Sequence, residues 1–296
     1  MKLVGIRRDG ETFVGVVDGD SVQPICSVAE FWAAPRMAVA GVNSTKHPTT
    51  SLADEIQVPL VPPSARIICI GLNYREHAAE GSFSVPDYPT IFGRWTGSLS
   101  VHNAPAPVPS NELGLDWEGE IAAYVGATLR DVDADTARSA IFGYSTFNDL
   151  TSRKAQKLTA QWTLGKNGDF SGPMGPLVTA DEVGDLRDGL RVQTRVNGTI
   201  VQDGNSRDMI FEVGDILALV SQTMTLHPGD VVATGTPEGV GYVRNPPWLL
   251  GPGDIVEVEI DKLGTLTTPV VGVEGRLIPS AIAQSGQTAS SSKLTA

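Results

Sequence analysis

Apolar and polar positions change phase every few residues along this chain, and turn residues interrupt nearly every apolar run. Residues 3–6 and 12–17 read as short strands around an Asp9-Gly10 turn. Asp18-Gly19-Asp20 then leads into a third apolar stretch over 22–25, the signature of a β-meander. Residues 27–34 suit a short helix capped by Ser27, with Glu30 at the third helical position. Val61-Pro62-Pro63-Ser64 reads as a boundary. From there to about residue 279 short strands alternate with Gly/Pro turns, and helical patterning is confined to roughly 73–80, 134–140, 151–160 and 209–222. The pattern predicts a mainly β, α+β protein with a small β-rich N-terminal domain over 1–60 and a larger domain over 64–279. A tail over 280–296, rich in Ser, Ala, Gln and Thr, is expected to be disordered.

Composition sharpens this picture. The 296 residues are 41% hydrophobic and 19% charged, enough for a sizeable core. The 32 Gly and 20 Pro are spread along the chain, which favours a turn-rich, strand-rich protein over a helical bundle. A net charge of −12 and a pI near 4.7 argue against nucleic acid as a partner and against binding to anionic membranes. No apolar run approaches the roughly 18 residues of a membrane span, and the first residues lack the apolar stretch of a secretory signal, so a soluble, cytoplasmic protein is the expectation. Cys26 and Cys69 are too sparse for a disulfide framework. Cys69, inside Ile67-Ile68-Cys69-Ile70, reads as a buried thiol.

Several segments carry candidate chemistry. Residues 116–126 (DWEGEIAAYVG) read as a strand with Glu118 and Glu120 on one face and Trp117, Ile121, Ala123 and Val125 on the other. Two like charges so close repel unless neutralised. The segment is therefore either a solvated edge strand or a source of hard oxygen ligands for a divalent cation. The apolar run over 142–147 ends in Asn148-Asp149, where Asp149 either caps the next helix or supplies a third metal oxygen; Arg153 and Gln156 would share a face of that helix. In GLNYREHAAEG, Asn73 and Glu76 have capping-box spacing, and His77 and Glu80 lie i, i+3. A carboxylate beside an imidazole orients it for proton transfer, although weak surface His–Glu pairs share that spacing. Lys166 sits in the glycine-rich WTLGKNGDF, where backbone can approach a ligand closely. LHPGDVVATGTPEGVG runs a strand into a turn bearing Thr234 and Thr236. That turn is either plain or able to hold an anion with backbone N–H and hydroxyl donors.

The ordered set GLNYREHAAE, DWEGEIAAYVG, FNDLTSRKAQ, WTLGKNGDF, LHPGDVVATGTPEGVG and NPPWLLGPGDIVEVEI resembles the fumarylacetoacetate hydrolase family over roughly residues 64–272. The resemblance implies a rolled, mixed, barrel-like β-sheet catalytic domain with few short helices, usually dimeric. It implies one Mg²⁺ or Mn²⁺ per subunit, held by Glu118, Glu120 and Asp149. It assigns His77, Glu80 and Lys166 to catalysis, on a helix and loop around bound ligand, and Tyr74, Arg153, Gln156 and Thr236 to substrate binding. The implied substrate is a small 2-oxo acid or 1,3-dicarbonyl compound, its enolate stabilised by the cation. In the hydrolytic version His77, oriented by Glu80, activates water and a C–C bond breaks. The alternatives are isomerisation, decarboxylation or hydration of a 2-oxo (di)carboxylate, or a metal-stabilised scaffold without activity. One departure stands out: Asp169-Phe170-Ser171-Gly172 replaces the family's Asp-Thr-Phe type sequence in a loop expected to border the substrate.

Overall fold

The computed structural model describes residues 1–42, 47–80 and 86–275, except the side chains of Ala78 and Ala79; the tail expected over 280–296 lies outside the described residues. The meander forms as expected: Lys2–Arg8, Glu11–Asp18 and Ser21–Ser27 pair antiparallel in sequence. Asp9 and Gly10 both take positive φ (49° and 84°), the mirror-image turn whose twist matches a two-residue hairpin. Ser27 and Glu30 cap each other at the start of the Val28–Ala33 helix.

The meander is continuous with the main sheet. Lys2–Arg8 pairs with Leu177–Thr179, which pairs with Ile141–Asn148. The path then runs through Gly119–Val125, Val231–Ala233, Ile67–Gly71 and ends at Thr90–Arg94. A second sheet of five strands is ordered Thr199–Asn205, Arg191–Val196, Ile255–Ile260, Gly264–Val271, Ala106–Pro107. Neither closes into a barrel among the described residues. The fold is sheet-dominated with few short helices, as the patterning predicts. Among the described residues no helix is long and apolar enough to cross a membrane.

The Gly119–Val125 strand lies at the centre of this arrangement, hydrogen-bonded on both edges and buried on both faces. That overturns the solvated edge-strand alternative: Ile121, Ala123 and Val125 join one core, and Ala122 and Tyr124 join another with Phe31, Trp32 and Phe142.

Two expected helices are shorter than their patterns. The 151–160 segment is helical only over Arg153–Gln156, because the chain turns back into a second helix, Thr163–Lys166. Gly165 lies against the backbone of Gln156, where an added Cβ would sit 2.6 Å from the Gln156 nitrogen. The 209–222 segment begins its helix at Val213 because the preceding residues are pinned elsewhere. Met209 bridges Tyr74, and the Ile210 N–H donates to the Asn73 carbonyl at 2.7 Å. The Asn73 side chain does not cap its helix. It donates to the Phe211 and Thr234 carbonyls and accepts from the Phe211 N–H, a buried clamp between the segment that precedes the Val213–Ser221 helix and the end of the Val231–Ala233 strand.

Candidate active site

Strand register assembles the acidic cluster. Gly119 faces Asn148 and Glu120 faces Phe147, so Asp149 emerges opposite Glu118 and its N–H donates to the Glu118 carbonyl at 2.9 Å. The Glu118 N–H donates to Asn148 Oδ1 at 3.0 Å, locking the two strand ends together. Glu118, Glu120 and Asp149, all buried, each bring a carboxylate oxygen to within 4.8 Å of the others.

Three cations compensate them unevenly. Lys166 Nζ lies 2.6 Å from both Glu118 Oε2 and Asp149 Oδ2. Arg153 Nη2 reaches Glu118 Oε1 at 2.7 Å. Arg94, wholly buried, donates through Nε to Asp149 Oδ1, through Nη1 to Ser171 Oγ at 2.8 Å and through Nη2 to the Leu150 carbonyl at 2.7 Å. Burial opposes ionisation of Glu118, but Lys166 and Arg153 outweigh it and hold that carboxyl below its usual range. Glu120 is the reverse case. Burial first, then Asp149 and Glu118, push its carboxyl well up. It accepts from the Gly235 N–H at 3.0 Å, and no cationic side chain forms an ion pair with it among the described residues. Gly235 is required there: its φ is +93°, and a Cβ would sit 2.8 Å from the Asn73 Cβ.

His77 and Glu80 meet as their spacing predicts, with Nδ1 2.8 Å from Oε1. The other Glu80 oxygen accepts from the Gly239 N–H at 2.9 Å, which ties the helix Arg75–Glu80 to the 234–241 turn. Both carboxylate oxygens accept, so Nδ1 carries the proton and Nε2 is left as the basic nitrogen. Thr236 Oγ1 donates to the Gly119 carbonyl at 2.9 Å and accepts from Gln202 Nε2 at 2.8 Å.

Asp116, which sequence reasoning passed over, organises the remaining wall. Fully buried, it accepts from the Trp117, Gly241 and Tyr242 N–H groups and from Arg153 Nε, at 2.6–3.1 Å. Asp116→Asn keeps the shape but gives up the charge that holds Arg153. It is expected to cost about 2–3 kcal/mol in urea unfolding, with a parallel fall in kcat/KM.

A cavity of about 380 Å³ opens beside the acidic cluster. His77, Glu118, Glu120, Arg153, Gln156, Lys166 and Thr236 line it, with Asp149 and Glu80 standing behind Lys166 and His77. Ile70, Leu72, Phe92 and Trp162 supply an apolar wall. Leu72 holds a left-handed φ of 58°, a strained conformation for a branched side chain. Tyr74 does not line this cavity; it is buried and borders a separate polar cleft with Arg191 and Glu238. The 169–172 loop contributes no lining residue among those described. Its Ser171 instead braces Arg94, one step behind Asp149. Arg94 was invisible because a lone arginine in an end strand looks like a surface residue, and Tyr242 because its turn follows the recognisable motif.

The donor set fits a hard divalent cation. Three buried carboxylates offer oxygen ligands, and Glu120, which no cationic side chain pairs among the described residues, is raised by burial and by its acidic neighbours, whose repulsion a bound cation would offset. Residues 66–271 match the family model described as fumarylacetoacetate (FAA) hydrolase C-terminal. The chain belongs to the fumarylacetoacetate hydrolase family. Members of this family are enzymes, and the chain's relatives span more than one reaction. A 2,4-didehydro-3-deoxy-L-rhamnonate hydrolase from Sphingomonas sp. (strain SKA58) is 38% identical over 270 residues, 90% of this chain and 94% of that protein. The mitochondrial oxaloacetate tautomerase fahd2 of Xenopus laevis is 36% identical over 271 residues, 89% of this chain and 84% of that protein. The crystal structure of fumarylpyruvate hydrolase from Pseudomonas aeruginosa, in complex with Mn²⁺ and pyruvate, matches with a TM-score of 0.65 at 30% identity, over 73% of this chain and 92% of that one.

Proposed function

We propose that this protein hydrolyses a C–C bond in an acylpyruvate-like or other 1,3-dicarbonyl acid, with one Mg²⁺ or Mn²⁺ held by Glu118, Glu120 and Asp149. The observation that carries the reading is the His77–Glu80 pair, 2.8 Å apart, at the cavity that also holds the acidic cluster. A cation bound there supplies Lewis-acid polarisation of substrate carbonyls and stabilises enolate charge.

The chain's own residues account for the rest. His77 Nε2 takes a proton from water, and Glu80 on Nδ1 stabilises the imidazolium that forms. Hydroxide attacks the distal carbonyl; the bond to the adjacent carbon breaks, and that carbon leaves with the electron pair as an enolate. Return of the proton to this carbon completes the reaction and restores the neutral imidazole. Lys166 and Arg153 keep positive charge beside the substrate's carboxylate, which an acidic chain must attract locally. Thr236, tied to Gly119, and Gln156, tied to Arg153, orient the bound acid. Water is partly excluded by the Phe92 and Trp162 wall, which strengthens these charges.

Incubation with acylpyruvates and Mg²⁺ should release pyruvate, and a chelator should stop it. Enol–keto conversion of oxaloacetate without any cleavage of acylpyruvates would transfer the site to the tautomerase reading that the Xenopus relative suggests.

A further inference from the structure

The turn that follows Thr236 carries an arginine for which the proposed chemistry has no use. The Arg244 guanidinium stands against two indoles, 5.5 Å from the centroid of Trp117 and 5.8 Å from that of Trp248. Its Nη2 donates to two backbone carbonyls, Val201 at 2.7 Å and Gly239 at 2.9 Å. The Gly239 carbonyl also accepts from Trp117 Nε1 at 3.1 Å. Only glycine fits at that point: its φ is +98°, and an added Cβ would sit 2.2 Å from the Val201 oxygen. On its other side Gly239 donates its N–H to Glu80 Oε2 at 2.9 Å, and Glu80 Oε1 meets His77 Nδ1 at 2.8 Å. These two hydrogen bonds orient the Glu80 carboxylate among the described residues. A continuous series of hydrogen bonds therefore runs from Arg244 and Trp117 through Gly239 and Glu80 to His77.

We propose that Arg244 is a positioning residue for the His77–Glu80 pair: by fixing the Gly239 carbonyl it fixes the neighbouring N–H that holds Glu80, and with it the oxygen that His77 meets. This rests on the reading of His77 as the base. The contacts of Arg244 are carbonyls and indoles, so it acts on the pair only through Gly239. Arginine suits the task, because its planar fork can rest on aromatic surface while it donates in its own plane, and its charge strengthens the bond to a carbonyl. The plainer role, a cation packed on aromatic rings, supports the fold but would not reach the proton on a histidine ring. A general base is sensitive to such control, since a misplacement of about 1 Å can cost 10²-fold in rate.

The test uses the full chain labelled with ¹⁵N-histidine. In alkaline buffer, where imidazole is neutral, the His77 signal (the one lost in His77→Ala) should place the proton on Nδ1 in the wild-type protein. In Arg244→Met that form should give way to a mixture of tautomers. On an acylpyruvate with Mg²⁺, kcat should fall by about ten- to a hundredfold with little change in KM. Arg244→Lys, which keeps a charge against the indoles and so keeps the test open if Arg244→Met does not fold, should lie between. In a Glu80→Gln background, where the link to Gly239 is already broken, Arg244→Met should cost less than about twofold more, because substitutions that act through one contact are not additive. A lower melting temperature with the tautomer unmoved, and a rate loss that multiplies with that of Glu80→Gln, would mark Arg244 as structural only; this overturns the proposal and leaves the hydrolytic reading intact. If the wild-type protein cleaves no acylpyruvate the hydrolytic reading falls, and the tautomer comparison still decides whether Arg244 sets the pair.

Discussion

His77→Ala is expected to lower kcat on an acylpyruvate by about 10²- to 10⁴-fold, the usual contribution of a positioned general base. Mn²⁺ binding by the same variant should remain close to that of the wild-type protein. The two expectations separate because His77 is bonded to Glu80 and not to the acidic cluster, whereas Glu118, Glu120 and Asp149 are held by strand register and by Lys166, Arg153, Arg94 and Gly235. Glu80→Gln should give a smaller loss. Its amide can still accept from Nδ1 through oxygen, but it can no longer stabilise a charged imidazolium, and its NH₂ faces the Gly239 N–H that now meets a carboxylate oxygen. Full activity in His77→Ala would remove the proposed base.

Glu120→Gln is expected to act in opposite directions on metal binding and on the metal-free fold. Losing a direct carboxylate ligand should weaken Mn²⁺ binding by more than the 10- to 100-fold that losing an outer partner costs. The metal-free protein, however, should melt at or above the wild-type temperature near neutral pH. Glu120 is buried beside Asp149 and Glu118 with one backbone N–H for support, so ionising it there is unfavourable. The sign follows from linkage. Its carboxyl is raised in the folded state, so its favourable contribution is complete below the unfolded carboxylate range and is lost as pH rises through the folded value. Gln carries no such penalty. Wild type and variant should therefore converge in acid and diverge toward neutrality, as thermal melts in chelator across pH would record. Glu118→Gln should behave differently, because Lys166 and Arg153 would each lose a partner and the fold would suffer.

The legible parts of this protein were those in which local chemistry and global position agree. The meander, its Asp9-Gly10 turn and the Ser27–Glu30 cap are local devices and formed as read. Period-two alternation put Glu118 and Glu120 on one face, but whether that face met water or a partner depended on strands far away in sequence, and the strand proved central. Asn73 shows the limit from the other side: its spacing to Glu76 matched a cap, yet its side chain was claimed by Phe211 and Thr234, more than 130 residues on. Arg94 and Asp116 gave no signal because their meaning lies in burial beside Asp149 and Arg153. A buried charge is conspicuous only once the partners that offset its desolvation are placed around it.

The central claim is that water adds across a C–C bond at this site, and isotope labelling tests it directly. An acylpyruvate is incubated with the protein and Mg²⁺ in ¹⁸O-enriched water, and the products are weighed by mass spectrometry at short times. The hydrolytic account predicts pyruvate together with a released carboxylic acid whose new carboxylate oxygen comes from solvent, at a rate that collapses in His77→Ala. Recovery of the substrate's carbon skeleton intact, with only its keto–enol ratio changed, would contradict it.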